Sequence, residues 1–337
     1  MNMNKKIILG IIVVAVILVG AGWWFLRSPS SPPKYTGPME KIIVANIEEF
    51  STLVWIAEEQ GYFRDNGLEV ITKDYPSGKL AADAMLKGEA DISVTAEIVL
   101  VNYGFTTHDI RILGTADSVD NVEIIARKDS GIATPSDLKG KKIGATKKTV
   151  SEFFLSLFLT YNKLSFADVE VIDTQPKDMA DALSRGDVDA VSTWQPNVFD
   201  VKQQLGDKII SWSSQKGKRY KMLFLAKENF IKGNPEAIKR FIASAVQAEK
   251  FVQEHNEQAK DFIAKKYNYT ASYTEEMWKG HDFVVELPQE LILAMEDEAR
   301  WAIKNKLTDK TKVPNYLNYI YFDALESVKP EAVTIIR

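Results

Sequence analysis

Five short segments of this chain carry residue types able to hold a small ligand. Four join a strand-like apolar run to a helix-like run: Asn46-Ile47-Glu48-Glu49-Phe50-Ser51-Thr52, Thr95-Ala96-Glu97, Thr146-Lys147-Lys148-Thr149-Val150-Ser151 and Ser192-Thr193-Trp194-Gln195-Pro196. A helix start leaves backbone N–H groups unpaired and carries about half a positive charge, so such junctions suit anions. Their Ser and Thr residues equally suit plain helix capping, worth about 0.5–2 kcal/mol, and capping does not exclude a ligand contact. The fifth segment, Pro76-Ser77-Gly78, ends one run and opens the next, and its glycine can bring bare backbone close to a ligand. The candidate residues are therefore Glu49, Phe50, Ser51 and Thr52; Ser77 and Gly78; Thr95, Ala96 and Glu97; Thr149, Val150 and Ser151; and Trp194 and Gln195.

Trp194 could stack on a ring or hold a cation against its face, worth about 0.5–2 kcal/mol; it could equally be a half-buried aromatic at a strand end. Trp212 and Tyr220, near an expected crossover, are secondary candidates. Glu49 and Glu97 cut against a bare anion. Pointing inward, they would set a desolvated carboxylate against it, and an amine, a basic heterocycle or a zwitterion would fit better. Pointing outward, they are ordinary solvated acids. Catalysis finds no support: His108, His255 and His281 lie in no recognisable motif, no nucleophile or phosphate-loop signature occurs, and no residues show metal-ligand spacing. Asp187 and Asp189 sit in a glycine turn that explains them. No catalytic residue, metal or cofactor is expected.

The elements that position these segments are visible in a repeat. Residues 82–97 and 180–195 align over sixteen positions with six identities, 98 residues apart. Each copy reads as a helix end, a Gly stop, a short apolar strand and a small polar cluster. So long a period is not a solenoid. It predicts two similar α/β units with a cleft between them, the usual place for a small ligand. Strands are expected at 41–46, 68–75, 91–95 and 110–116, alternating with helices at 51–60, 80–87 and 96–103. The pattern restarts with strands near 122–127, 143–145, 169–173, 190–192 and 209–212, around helices at 149–162, 177–185 and 197–205. A strand at 222–226 leads back, and everything from Asn234 onward is helical in period, including 257–267, 274–280, 288–306 and 318–327. Alternating strands and helices argue for largely parallel sheets.

The chain has 337 residues, enough for two domains. Residues 7–26 are free of charge, and at about 1.5 Å per residue such a helix covers a bilayer core of roughly 30 Å. Lys5-Lys6 before it place the amino end in the cytoplasm and the rest outside. A cleaved signal peptide and a retained anchor both fit. The run is longer than the usual apolar region of about 7–15 residues in a signal peptide, and Trp23-Trp24 make a poor cleavage neighbourhood, which favours the anchor. The Pro/Ser-rich stretch 28–40 reads as a tether. Cysteine is absent, so disulfides, thiolate metal sites and a lipid-modified Cys are excluded. Four of the 42 basic residues precede Met39 and no acid does, which leaves 38 bases against 46 acids from there on, a net of −8. That is no footprint for nucleic acid.

At Trp55-Ile56-Ala57-Glu58-Glu59-Gln60-Gly61-Tyr62-Phe63, Asn66-Gly67-Leu68-Glu69-Val70, Pro76-Ser77-Gly78, Gly88-Glu89-Ala90-Asp91-Ile92, Arg127-Lys128-Asp129-Ser130-Gly131-Ile132, Asp137-Leu138-Lys139-Gly140-Lys141-Lys142-Ile143-Gly144 and Gly186-Asp187-Val188-Asp189-Ala190, the chain resembles the nitrate/sulfonate/taurine type of ABC-transporter substrate-binding protein. The resemblance runs from about residue 41 to 265. It implies a two-lobed type II periplasmic-binding-protein fold, each lobe a mainly parallel sheet flanked by helices, with a helical C-terminal extension on the first. Residues 41–120 plus 221–337 would form lobe 1 and 121–220 lobe 2, closing on a small-molecule ligand and delivering it to a membrane permease with its ATPase. It places the ligand against Glu49 to Thr52, Thr95-Ala96-Glu97, Thr149-Val150-Ser151 and Trp194-Gln195. Many relatives have Asp at the position of Gln195 and a Gly-Ser-rich loop in place of Lys147-Lys148-Thr149. A related branch makes a thiamine pyrimidine precursor with a Cys-rich motif that this chain lacks. The ligand implied is a small organic anion or zwitterion of the sulfonate, taurine or nitrate kind; the alternatives are a ligand-sensing ectodomain, an importer for a pyrimidine-type thiamine precursor or an amine, and an enzyme on the same fold.

Overall fold

A computed structural model describes residues 34–337; the expected anchor at 1–27 and the first part of the tether lie outside the described residues, as does the side chain of Glu49. Among the described residues no helix is long and apolar enough to cross a membrane. The unit Thr36–Arg337 holds two sheets. Its strands are β1 (Glu40–Asn46), β2 (Leu68–Asp74), β3 (Ile92–Ala96), β4 (Ile110–Val119), β5 (Glu123–Arg127), β6 (Lys142–Ala145), β7 (Glu170–Asp173), β8 (Ala190–Thr193), β9 (Ile209–Ser213), β10 (Tyr220–Lys227) and β11 (His281–Asp282).

The first sheet has the order β11-β4-β10-β3-β1-β2, the second β7-β6-β8-β5-β9. Leaving the short edge strand β11 aside, one strand of each sheet runs backwards, and it is the one that enters from the other sheet: β10 is antiparallel to β3 and β4, and β5 to β8 and β9. Stripped of β11, the two orders are the same arrangement. Helices cover both faces, so β3 is buried at every position although its sequence alternates Ile-Ser-Val-Thr-Ala.

The repeat is explained by this equivalence. Its two copies end in β3 and β8, which hold the same place in the two sheets. Gly88 and Gly186 stop the preceding helices in the left-handed region, at φ 79° and 80°. The next shared residue, Asp91 or Asp189, grips the equivalent neighbouring strand of its own sheet, β1 or β6. Ile43 N–H donates to Asp91 Oδ2 at 2.8 Å, and Lys142 N–H to Asp189 Oδ2 at 2.9 Å. Asp91→Ala and Asp189→Ala should each lower unfolding free energy by about 1–3 kcal/mol, the worth of a bond to a charged acceptor, as urea denaturation would read.

The chain crosses between sheets twice, after β4 and before β10. One side chain staples the crossings. Fully buried Gln215 accepts from Asn121 N–H (2.7 Å) and Val122 N–H (2.8 Å) and donates to Val119 O (2.9 Å) and Lys218 O (2.8 Å).

The C-terminal expectation needs correction in two places. Helices do occupy Pro235–Glu254, Asn256–Tyr267, Ala271–Lys279 and Gln289–Lys304. Residues 281–288, however, are extended: β11 pairs with β4, and Thr115 N–H donates to Glu286 O at 2.9 Å. The expected helix at 318–327 is a 3-10 turn Tyr316–Tyr319, then Ile320 bridged to Ile112, then a helix limited to Asp323–Val328. The cause is β4, whose outer edge would otherwise present unpaired backbone groups. Covering that edge outweighs the helical periodicity of the tail.

Candidate functional site

A void of about 350 Å³ lies between the sheets. The first sheet's side contributes Ile47, Phe50, Ser77, Gly78, Lys79, Ala96 and Val99. The second contributes Thr149, Val150 and Trp194, and β10 adds Tyr220 and Met222. Trp194, Phe50 and Tyr220 are all buried, so the aromatic surface faces inward.

Two helices begin at this void, one from each side. Gly78–Lys87 is capped by Ser77, whose Oγ accepts from Leu80 N–H at 3.4 Å. Val150–Tyr161 is capped by Thr149, whose Oγ1 accepts from Ser151 N–H at 3.2 Å and donates to Thr146 O at 2.7 Å. Gly78 is required by crowding: a Cβ there would come within 2.5 Å of Thr95 Oγ1 and 3.1 Å of Thr95 Cα. Apart from the capped Leu80 and Ser151, the first-turn N–H groups have no intrahelical acceptor and can face a ligand.

The repeat is visible in the lining. Ala96 and Trp194 occupy equivalent positions, and both line the void. The next residues, Glu97 and Gln195, both turn away. Glu97 Oε2 accepts from Lys221 N–H at 2.8 Å. Gln195 Oε1 accepts from Phe199 N–H at 3.1 Å, and its Nε2 donates to Glu276 at 3.2 Å. Ser51 and Ser151 form another equivalent pair that braces loops: Ile47 N–H donates to Ser51 Oγ and Thr146 N–H to Ser151 Oγ, each at 3.0 Å. Ser151 Oγ also donates to Ser192 O at 2.6 Å. Thr52 and Thr95 are fully buried behind the lining. Of the fourteen candidates, the structure thus brings Phe50, Ser77, Gly78, Ala96, Thr149, Val150 and Trp194 together at one surface, and leaves Ser51, Thr52, Thr95, Glu97, Ser151 and Gln195 out of it. Sequence reasoning passed over Lys79, Val99 and Met222. Lys79 had a signal, since it follows Ser77-Gly78 in the first helical turn. Tyr220 lines the void, whereas Trp212 packs against Phe158 in the second sheet's core, ring centroids 6.0 Å apart.

Among the described side chains no carboxylate lines the void, and Lys79 is its one charged residue. Glu97 lies elsewhere, fully buried. Burial pushes its carboxyl up to about 8, against the pull of its N–H partners and of Lys218 and Lys221. Burial and the neighbouring Glu97 likewise raise Glu298 well above the usual carboxylate range.

Contacts across the cleft hold its walls together. Trp301 Nε1 donates to Ser156 Oγ at 2.8 Å, and its ring meets Phe153 edge-on at 5.0 Å. Phe199 packs on Tyr273 at 4.7 Å. Asn102 Nδ2 reaches Lys148 O at 3.5 Å.

Two α/β sheets of matching order, joined by two crossings with a lined void between them, define the type II periplasmic-binding-protein fold. Solved structures share it. SsuA, the periplasmic aliphatic sulphonate binding protein of Escherichia coli, superposes with a TM-score of 0.71 at 19% identity over 86% of this chain and 99% of its own. The alkanesulfonate-binding protein SsuA from Xanthomonas axonopodis pv. citri, bound to MOPS, gives 0.73 at 17%, over 85% and 99%. The desulfurization enzyme DSZB gives 0.62 at 15%, over 87% and 99%. The chain belongs to the family described as NMT1/THI5 like, which matches residues 50–259. A Brucella abortus relative, named only as a candidate binding protein, is 28% identical over 214 residues, 59% of this chain and 62% of its own length. The taurine-binding periplasmic protein of Escherichia coli is 24% identical over 191 residues, 56% of this chain and 59% of its own. These matches thus span about three-fifths of those relatives.

Proposed function

We propose that this chain is the extracytoplasmic solute-binding component of an ABC importer. It captures a small organic anion with an apolar body, of the alkanesulfonate kind, and hands it to a permease. The observation that carries this reading is the pairing of two helix N-termini, one from each side, on an aromatic void that no carboxylate lines among the described side chains. The acid group suits the N–H groups and the helix charge; Trp194, Phe50 and Tyr220 suit the apolar body. The departure of Glu97 from the lining removes one of the two carboxylates that argued against an anion. Residues 41–120 with 221–337 act as one lobe and 121–220 as the other, swinging about the crossings stapled by Gln215. Residues 1–27 tether the protein to the membrane it serves.

The test is calorimetric titration with ethanesulfonate, taurine and nitrate. Ethanesulfonate should bind with a negative heat-capacity change from apolar burial, and nitrate, which has no apolar body, should bind more weakly. Failure of all three to bind would refute the reading. Turnover of a bound sulfonate would instead support an enzyme, a possibility kept open by the fold shared with DSZB.

If closure contributes to affinity, loosening it should act at a distance. Trp301→Phe keeps the ring against Phe153 but removes the bond to Ser156, worth about 1 kcal/mol. Affinity for ethanesulfonate should fall roughly fivefold with no change in the cavity lining, through a lower population of the closed form.

A further inference from the structure

A second, larger cavity of about 1000 Å³ adjoins the first. Lys79 and Val99 belong to both linings, and Lys148 of the outer cavity precedes Thr149 of the inner one. Asp83, Asn102 and Tyr103 complete its polar wall. We propose that this outer chamber receives a second acid group of the same ligand, so that the solute is an organic dianion spanning both chambers with Lys148 reading its outer end. The inference rests on the anion-binding reading above.

The charges in the outer chamber are largely spoken for. Asp83 is held by the Tyr103 hydroxyl and by Lys79, whose Nζ lies 2.8 Å away. These bonds hold its carboxyl below the usual range despite partial burial, so it stays ionised and neutralises Lys79. Asp309 has an 85% exposed side chain and faces Lys310 at 3.7 Å. Among the described residues the Lys148 ammonium forms no ion pair; the acid that acts on it is Glu152, which accepts from the Lys148 backbone N–H at 2.8 Å, and Lys148 is the lysine of the outer lining without a salt bridge.

The backbone of Lys148 is also unusual. Its φ is 60°, a region that L side chains enter at a cost. Among the described residues four other non-glycine residues do so. Lys163, Asn268 and Lys306 each end a helix, where this conformation is the normal stop, and Lys216 lies in the tight turn before Gly217. Lys148 alone stands in a strand-to-helix loop, at the seam where Asn102 of the opposite wall meets its carbonyl. Glycine would fit that conformation without strain. Lysine at that position gives the outer lining a second cation beside Lys79.

The test compares ethanesulfonate, a monoanion, with 3-sulfopropanoate, a dianion, by calorimetry on the wild type and on Lys148→Gly and Lys148→Gln. The wild type should bind 3-sulfopropanoate about tenfold more tightly. Both variants should lose that preference and keep ethanesulfonate affinity within twofold. Lys148→Gly should also melt at a higher temperature, because it removes the strain. Equal affinity of the wild type for the two probes, or an unchanged preference in both variants, overturns the dianion proposal and leaves the monoanion reading standing. If neither probe binds, both fall.

Discussion

Replacing Trp194 with alanine should weaken ethanesulfonate binding by at least about thirtyfold, the effect of losing a hot-spot contact of 2 kcal/mol or more. Trp194 is 6% exposed and is the one aromatic that the second sheet's side contributes to the void. Its loss leaves the apolar body of the ligand without its second wall, so that only the Phe50 and Tyr220 side still holds it. The same ring belongs to the core that runs on from the first sheet, so Trp194→Ala also carries the cost of a large-to-small core change, about 3–5 kcal/mol. Lost binding could therefore report lost structure. Trp194→Phe separates the two. It keeps an aromatic face in a core of similar shape and should hold affinity within about fivefold. Calorimetry with a melting curve on each variant reads both quantities. Affinity unchanged in the folded alanine variant would remove Trp194 from the site, and with it the two-sided clamp.

The strand-to-helix junctions that form the void's rim were legible because they depend on local signals: an apolar run, a small polar cluster, then a helical period. The repeat added which junctions correspond, and β3 and β8 do hold equivalent places. Which side chain of a junction faces the void was not legible. Ala96 and Trp194 face it while Glu97 and Gln195, one residue later, turn to Lys221 N–H and Phe199 N–H. A one-residue step exchanges the two sides of an extended segment, and no local signal fixes it. Met222 was hidden, and Tyr220 legible only as a secondary candidate near the crossover, for a different reason. They reach the void because β10 inserts between β3 and β4, a pairing between residues more than a hundred positions apart. The tail was misread where the bare edge of β4 recruits 281–288 and Ile320 into extended pairing against their helical period. Edge coverage is a tertiary demand that periodicity does not encode.

Glu97 is the candidate whose reassignment has the largest consequence for stability. It is buried beside Lys218, Lys221 and Glu298, and Glu298 in turn meets Glu97, Lys218, Asp297 and Tyr316. In the unfolded chain a glutamate titrates near 4.5, and in the folded protein Glu97 titrates at about 8. Between those values the folded state holds a proton that the unfolded state has released. Unfolding therefore becomes easier as pH rises, by up to about 1.4 kcal/mol per pH unit for this group. Its stabilising contribution is complete below pH 4.5 and is lost as pH passes through 8. Glutamine mimics the protonated acid: its Oε1 can still accept from Lys221 N–H, and it never ionises. Glu97→Gln should accordingly match the wild type near pH 4.5, exceed it in stability by a few kcal/mol at pH 9, and flatten the pH dependence in between. Urea denaturation across that range measures the difference, and parallel profiles for the two proteins would contradict the burial argument. The same variant decides what the ligand is. Glu97 is outside the lining, so ethanesulfonate should bind Glu97→Gln as it binds the wild type. If the ligand were an amine read by this carboxylate, neutralising it would cost most of the affinity. A single substitution thus reports on folding through pH and on ligand charge through binding, and the two readouts are independent.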